Sequence, residues 1–389
     1  MDFVWVRKNM KLGKFKFHSK EWQYPLMVFL VTWIVLWGWM GLIRQIYPVD
    51  ISPDAVLRPY MGVAPETNPF LEVWQRWDVL HYQAIAVGGY QAFETSLFTP
   101  PLYPVLMRLV SLPFKGNTLL AGLMVSALFC AASLISFHRL AQFELGSSQL
   151  ADQAVLFLAL FPTSFFLFAP YTESLFMLGA VSCLLTLRQN KWLAAGGWGM
   201  LAACSRLTGA VMLLPTTWAA WKRWKRTREW KAWLAPTLTL LAAILFPLYA
   251  WLGLGKSILA PFEAQSTRFH GGFTFPGLNI LATLRQIFLG QYPIPNFFDV
   301  VFMLAFLGLG LLVWKQLPRL YGIYYLGFMA LYITRVADVY PLLSMTRYVL
   351  ALFPAFLILA RYGQNPVTRR ILVYLFLLGL LFFSAQFAI

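Results

Sequence analysis

The sequence predicts an all-α protein that crosses the membrane several times, and its composition and hydropathy support that fold class. Of the 389 residues, 59% are hydrophobic and only 12% are charged, about half the charged fraction of a soluble domain. The mean hydropathy is +0.64. Several uncharged apolar runs reach the roughly 20 residues that a helix needs to cross a bilayer.

We predict about eleven spanning helices within a single membrane domain that covers residues 1–389. The first span follows a basic amino end and is too long for the core of a signal peptide. The predicted spans are Pro25–Tyr47, Asn117–Ala141, Gln149–Phe168, Tyr171–Arg188, Lys191–Cys204, Leu207–Trp221, Ala232–Leu254, Phe297–Lys315, Arg319–Arg335, Met345–Arg361 and Thr368–Phe387.

The basic residues set the predicted topology. A net charge of +16 can indicate nucleic-acid binding, but here Lys and Arg concentrate in short loops and in residues 1–24, as the positive-inside rule requires. Treating residues 191–221 as two short helices keeps both flanking basic clusters in the cytoplasm. Twenty of the 31 Lys and Arg residues, but only five of the 15 acids, then lie on the cytoplasmic side. We therefore predict membrane lipids as partners and no nucleic acid.

Two long segments, residues 48–116 and 255–296, lie on the opposite side in this topology. The first is predicted to contain two amphipathic helices in the membrane interface. One groups apolar side chains (Phe70, Val73, Trp74, Trp77, Ala84 and Ile85) opposite polar ones (Glu72, Gln75, Arg76 and Gln83). The other carries an apolar stripe opposite Arg108, made of Leu102, Val105, Leu106 and Leu109.

The run Trp77-Asp78-Val79-Leu80-His81-Tyr82 places an acid, an imidazole and a phenol within two helical turns. Asp78 falls at the border of the apolar and polar faces. A partly desolvated carboxylate there can accept a proton from a hydroxyl, or it can be an ordinary interfacial acid or a helix cap. Two ligands, Asp78 and His81, are too few to predict a divalent-cation site, so we predict no metal.

The stretch Arg76–Tyr82, continued by Ile85–Tyr90, resembles the signature of the PIG-V family, mannosyltransferases of glycosylphosphatidylinositol assembly with prokaryotic relatives. Other blocks follow in the family's order: Pro101–Pro104, Phe161–Phe166 with Tyr171–Ser174, Ser205–Gly209, and Ser344–Tyr348 with Phe353 and Pro354. The first and last blocks are the more specific, whereas the middle ones are common among GT-C glycosyltransferases.

The resemblance implies a GT-C-type bundle that takes mannose from a polyprenyl-phosphate donor on the non-cytoplasmic side and inverts the anomeric centre. Such enzymes use an acid of the first outer loop, often as general base, and Asp78 matches that position. The implied acceptor is a glycolipid or lipid-linked molecule, and the donor is a co-substrate rather than a cofactor. Nothing in the sequence indicates the particular PIG-V acceptor.

The leaving phosphate needs fixed positive charge, and the fork of an arginine suits it. The outer-side candidates are Arg206, Arg347 and Arg268, the last with His270 in a Gly-flanked loop. Alternatively, Arg206 and Arg347 only extend their charged groups into the membrane interface. The loop of Arg268 either covers the donor or is simply solvated.

Glu173 is a second acidic candidate, since acids at membrane depth are often functional, although it also suits the first turn of a helix. The remaining substrate-binding candidates are His81 and five aromatic residues of the family-like blocks. Aromatic rings can stack on sugar, but they are also expected at any membrane interface. The five are Trp77, Tyr82, Tyr103, Tyr171 and Tyr348.

Two other functions compete with a glycosyltransferase. A lipid-linked sugar flippase would favour ionisable residues deep in spans and paired broken helices, whereas most charges here lie near span ends, which favours the enzyme. A non-catalytic scaffold subunit is the third alternative. No Asn-x-Ser/Thr sequon occurs, which favours a prokaryotic plasma membrane with the site on its outer face; in a eukaryotic cell the site would face the ER lumen.

Overall fold

A computed structural model describes residues 21–48, 52, 60–90, 94–269 and 271–389, with only the backbone of residues 94, 95, 268 and 269. The described chain is almost entirely helical. Its helices are α1 (Gln23–Ile46), α2 (Pro69–Glu72), α3 (Asp78–Gly88), α4 (Leu102–Ser111), α5 (Thr118–Leu145), α6 (Ser148–Leu160), α7 (Glu173–Arg188), α8 (Trp192–Ser205), α9 (Leu213–Thr227), α10 (Leu234–Leu252), α11 (Ala260–Phe269), α12 (Leu278–Phe288), α13 (Pro293–Gln316), α14 (Arg319–Thr334), α15 (Met345–Tyr348), α16 (Pro354–Tyr362) and α17 (Pro366–Ala388).

Two short strands and six 3-10 turns complete the described architecture. The strands β1 (Gly271–Phe273) and β2 (Arg335–Ala337) pair antiparallel, with Gly271 opposite Ala337. The 3-10 turns are Glu94–Phe98, Leu112–Phe114, Ser164–Leu167, Leu207–Met212, Trp230–Trp233 and Val349–Leu352. The strand pair was not predicted from the sequence.

Five helices in the described chain are long and apolar enough to cross a membrane: α1, α5, α10 with the turn before it, α13 and α17. Helix α15 with its following turn and α16 are together long and apolar enough as well, but they meet at a bend of 81°, the geometry of a broken span or of a re-entrant loop. The prediction of an all-α, multi-pass membrane protein is confirmed. The count of eleven stays a prediction, because α7 and α14 have 16 residues each, about 24 Å of helix against a core of about 30 Å.

Prolines explain two differences from the predicted spans. Helix α6 ends at Leu160 instead of reaching Phe168, because Phe161 precedes Pro162 and takes an extended ψ of 141°, as residues before proline usually do. The predicted span Met345–Arg361 is divided, because Pro354 begins a new helix at its first turn, where proline is tolerated.

The first interfacial stretch is not one amphipathic helix, and the prediction of its water-facing polar side was wrong. Trp77 has a φ of +54° and separates α2 from α3. Glu72, Gln75, Arg76 and Gln83 are all buried. Gln75 Nε2 donates to Gln83 Oε1 at 3.1 Å, and Arg44 Nε donates to Glu72 Oε2 at 2.7 Å. The segment packs against the bundle, where these hydrogen bonds satisfy polar groups of Glu72, Gln75 and Gln83.

Helix α7 lies in the core and positions the site. It packs between α5 and α8, and every residue from Glu173 to Leu185 is buried. The contact with α8 is close, since a Cβ at Gly179 would lie 2.7 Å from the backbone nitrogen of Ala202. One end of α7 carries Glu173 and the other carries Arg188, so the helix connects two separate ionic clusters.

Candidate active site

Four charged residues from distant parts of the sequence contact one another where α7 begins. They are Asp78, Glu173, Arg206 and Arg347. Arg347 Nη1 donates to Asp78 Oδ2 at 2.6 Å, and Arg347 Nε donates to Glu173 Oε1. Arg206 Nη1 donates to the same Glu173 oxygen at 2.8 Å. These contacts link α3, α7, the residue after α8, and α15 into one network.

Residues with positive φ precede both helices that carry the Asp78–Arg347 pair. Trp77, with φ +54°, immediately precedes Asp78, which is the first residue of α3. Leu343 and Ser344, with φ of +42° and +57°, precede α15. Such conformations cost roughly 1–3 kcal/mol each in a residue with a side chain and persist only where the surroundings hold them.

Glu173 is 3% exposed and bonds both arginines through one oxygen. Its other oxygen, Oε2, is buried without a hydrogen-bond partner among the described residues. The Arg347 guanidinium also lies over the ring of Tyr171, 4.5 Å from its centroid, and 5.2 Å from that of Phe166. The arginine is therefore fixed by carboxylates at two of its nitrogens and by aromatic faces.

Asp78 keeps its negative charge in this setting. Burial raises the pKa of the carboxyl, but the charge and hydrogen bond of Arg347 outweigh it, with smaller contributions from His81 and Arg206, so that the pKa lies below its usual value. The side chain remains 20% exposed. Burial and the charge of Asp78 raise the pKa of the neighbouring Tyr82. At neutral pH the site thus offers a carboxylate base beside a protonated phenol.

The exposed edge of Asp78 faces a cleft that residues of both long segments, 48–116 and 255–296, help to form. Phe98, Thr99 and Pro100 come from the first segment, and Gln265 on α11 comes from the second. The rest of the lining is polar or charged except for Leu207, and it consists of Asp78, Tyr82, Thr172, Ser205, Arg206, Leu207, Thr208, Arg335, Arg347 and Tyr348. Three guanidinium groups and a single carboxylate line this cleft, a composition that suits a phosphate-bearing substrate.

The sequence of this protein matches a known protein family over most of its length. Residues 25–259 match the family described as Mannosyltransferase (PIG-V). The chain belongs to this family. The GPI mannosyltransferase 2 of Schizosaccharomyces pombe (strain 972 / ATCC 24843) is 24% identical over 178 residues, which cover 44% of this chain and 38% of that protein. This chain therefore aligns with well under half the length of that relative.

The family match extends over only part of the network. Asp78, Glu173 and Arg206 lie within the matched residues of this PIG-V family member, whereas Arg335 and Arg347 lie beyond residue 259. The two carboxylates and Arg206 therefore belong to the part of the chain that the family match covers. Arg335 and Arg347 belong to the candidate site by their position in the cleft.

Several predicted substrate-binding residues do not line the cleft. Trp77 is 54% exposed and lies outside the lining. His81 is fully buried, with Nδ1 2.9 Å from Ser96 Oγ and its ring edge-on to Phe98. Tyr103 and Tyr171 are buried and pack edge-on against Tyr82, with ring centroids 5.3 and 5.9 Å away. A direct role of these residues in substrate binding stays a prediction.

Two candidates of the second outer segment are not described at the level of side chains. The backbone of Arg268 belongs to α11, but its side chain lies outside the described structure. All of His270 lies outside the described structure.

Within the described residues, no group of three or more His, Cys, Asp or Glu side chains is arranged to hold a metal ion.

Sequence reasoning missed Arg335, which lines the cleft with its guanidinium carbon 5.8 Å from the ring centroid of Tyr348. It was assigned only as the last residue of a predicted span. The signal that singled out Arg206 and Arg347, an arginine at an outer span end, applies equally to Arg335. Arg335 directly follows α14 and pairs with Phe273 in the strand pair, which no residue pattern predicted.

Proposed function

We propose that this protein is a membrane mannosyltransferase. It transfers mannose from a polyprenyl-phosphate donor to a hydroxyl of a glycolipid or lipid-linked acceptor on the non-cytoplasmic face. The observation that carries the proposal is the position of Asp78, paired with Arg347, in a cleft lined by Arg206, Arg335 and Arg347. Family membership supports mannose as the transferred sugar.

Asp78 acts as the general base. Its carboxylate takes the proton of the acceptor hydroxyl while that oxygen attacks the anomeric carbon of the donor. The bond between that carbon and the phosphate oxygen breaks, and its electron pair leaves with the polyprenyl phosphate. Attack from the face opposite the leaving group inverts the anomeric centre. A positioned base contributes about 10²–10⁴-fold to such a step.

The cleft arginines stabilise the leaving phosphate. An arginine fork binds phosphate oxygens in two parallel hydrogen bonds, and fixed donors at the position where charge develops lower the barrier most. Glu173 holds Arg206 and Arg347 through one oxygen. The two guanidinium groups are thus oriented before the donor arrives, and little reorganisation is needed during the reaction.

The contacts of the network support the proposed topology. Asp78, Glu173, Arg206 and Arg347 were each assigned to the non-cytoplasmic side from the charge distribution, and they contact one another at one end of the bundle. Glu144 and Arg188, assigned to the cytoplasmic side, form an ion pair beside the last residue of α7. The two groups therefore lie at opposite ends of one helix.

A transfer assay tests the proposal. Purified protein receives polyprenyl-phosphate mannose carrying a labelled sugar together with candidate acceptor lipids, and the labelled product is separated and quantified. We expect transfer by the wild type and almost none by a folded Asp78→Asn variant. Full turnover by that variant would remove Asp78 as the base. Movement of the donor across the bilayer without sugar transfer would favour a flippase.

The side of the membrane is tested separately. Trp77 adjoins Asp78 and is more than half exposed, so a Trp77→Cys substitution in a variant lacking Cys130, Cys183 and Cys204 introduces one accessible thiol beside the site. An impermeant maleimide should label it from the outer side of sealed cells. Labelling only in inverted vesicles would contradict the proposed orientation and leave the transfer reaction unaffected.

A further inference from the structure

Asp299 is a buried acid that sequence reasoning passed over. It lies in α13, a membrane-length helix whose other charged residue is Lys315 near its end. The residue is 4% exposed. A carboxylate in such a helix is costly unless hydrogen bonds stabilise it, so its partners indicate why it is tolerated there.

Those partners belong to the segment that carries Arg347. Asp299 Oδ1 accepts a hydrogen bond from the backbone N–H of Thr346 at 2.9 Å. On the other side of the same residue, Thr163 Oγ1 donates to the carbonyl of Thr346 at 2.7 Å. The peptide groups on either side of Thr346 are thus held by two distant elements.

This segment needs such support because its backbone is strained. Leu343 and Ser344 both have positive φ, and the conformation costs free energy that other contacts must offset. The hydrogen bond from the Tyr332 hydroxyl to the carbonyl of Tyr348, at 3.2 Å, adds a third attachment. Arg347 lies between the two anchored residues, and its side chain reaches Asp78 and Glu173.

We infer that Asp299 is a positioning residue for the transfer reaction. By holding the N–H of Thr346, it sets where the Arg347 guanidinium lies relative to Asp78 and to the donor phosphate. Asp299 is not among the described residues that line the cleft, so it acts through Arg347 and does not touch substrate. The inference rests on the proposed function and adds a residue outside the residues 25–259 matched to the family.

Two substitutions at one position separate the hydrogen bond from the charge. Asp299→Asn keeps an oxygen that accepts from Thr346, whereas Asp299→Leu keeps a similar volume and loses the acceptor. We expect Asp299→Leu to lower kcat/KM for the donor about 100-fold, the order of loss that a misplacement of about 1 Å can cause. Asp299→Asn should stay within a few-fold of wild type. The KM for the acceptor should not change in either variant.

A double-mutant cycle distinguishes positioning from a general structural role. In an Arg347→Gln background, Asp299→Leu should cost little further activity, because the group that Asp299 positions is already gone. A loss for Asp299→Leu that is equally large in both backgrounds would overturn the inference. So would wild-type donor kinetics in a folded Asp299→Leu protein.

Thermal unfolding in detergent checks that each variant is folded. If Asp299→Leu does not fold, Thr163→Val removes the second anchor of Thr346 with nearly the same shape. It should raise the donor KM in the wild-type background only, and unchanged kinetics would overturn the inference. A wild type that transfers no sugar rejects the proposed function and the inference with it, whereas an active wild type with an equally active Asp299→Leu variant rejects the inference alone.

Discussion

The two ends of α7 carry ionic clusters of similar composition, but the carboxylates in the two clusters differ in how many of their oxygens accept hydrogen bonds. At one end, Glu144 Oε1 accepts from Arg188 Nε at 2.5 Å and from the Tyr321 hydroxyl at 2.9 Å, while Oε2 accepts from Arg188 Nη2 at 3.3 Å. At the other end, Glu173 shares one oxygen between Arg206 and Arg347, and its second oxygen has no partner among the described residues.

This difference supports the proposal that the cluster at Glu173 does the chemistry. The cluster at Glu144 pairs its carboxylate at both oxygens and leaves little capacity for a ligand, as expected of a group that stabilises the fold. The cluster at Glu173 includes a second carboxylate, Asp78, that is partly open to a cleft with three arginines. Incompletely satisfied charges in a cleft are typical of a binding or catalytic site.

The largest expected effect comes from Asp78→Asn. The substitution keeps the size of the side chain and removes the base, so the kcat of the folded protein should fall about 10²–10⁴-fold. The labelled-mannose transfer assay measures it. The matched control is Glu144→Gln, which makes the same change of carboxylate to amide at the other end of α7. Equal losses of activity in the two variants would remove the distinction between the clusters.

Arg347→Gln should have the next largest effect. Loss of the guanidinium removes a donor to the leaving phosphate, and one such donor is worth about 10²–10³-fold in rate. Arg347→Lys should recover only part of the activity, because an ammonium cannot bond Asp78 and Glu173 with the geometry of a fork. Donor-dependence curves for both variants test this, and full activity with Lys would show that charge alone suffices.

The pH dependence sharpens the assignment of the base. The wild-type pKa of Asp78 lies below its usual value because Arg347 stabilises the carboxylate. Activity should therefore persist into acid and fall only as pH drops through that lowered pKa. In Arg347→Gln the cation is absent and the pKa rises, so the acid limb of kcat/KM should move to higher pH. An acid limb at the same pH in both proteins would argue that another group is the base.

The smallest effect on catalysis is expected at the opposite end of α7. Glu144→Gln weakens the ion pair with Arg188, and a lost hydrogen bond to a charged group costs about 1.5–3 kcal/mol. The thermal midpoint should fall by a few degrees. Turnover per folded molecule should remain that of the wild type. Loss of turnover without loss of stability would assign the Glu144 cluster a functional role.

The members of the active cluster could be found one at a time from the sequence, but their mutual contacts could not. Asp78 stood out as an acid at the border of the two faces of its helix and Arg206 as a charge at the end of a span, and the resemblance of their surroundings to the PIG-V family strengthened both. Arg347 lies 269 residues after Asp78, and no spacing rule relates the two. Arg335 and Asp299 were missed, because one ended a predicted span and the other was a single acid within one.

The sequence by itself determined the membrane-spanning, all-helical character of this protein, since long uncharged apolar runs are stable only where their backbone hydrogen bonds close within each helix. Its local motifs also determined the family. Only the tertiary structure decided which charges act together. A buried charge is stable only beside a partner of opposite charge. In this protein, helix packing and the positive-φ residues Trp77 and Ser344 bring the partners together. Contacts between residues so far apart in the chain depend on how the helices pack, which local patterns do not encode.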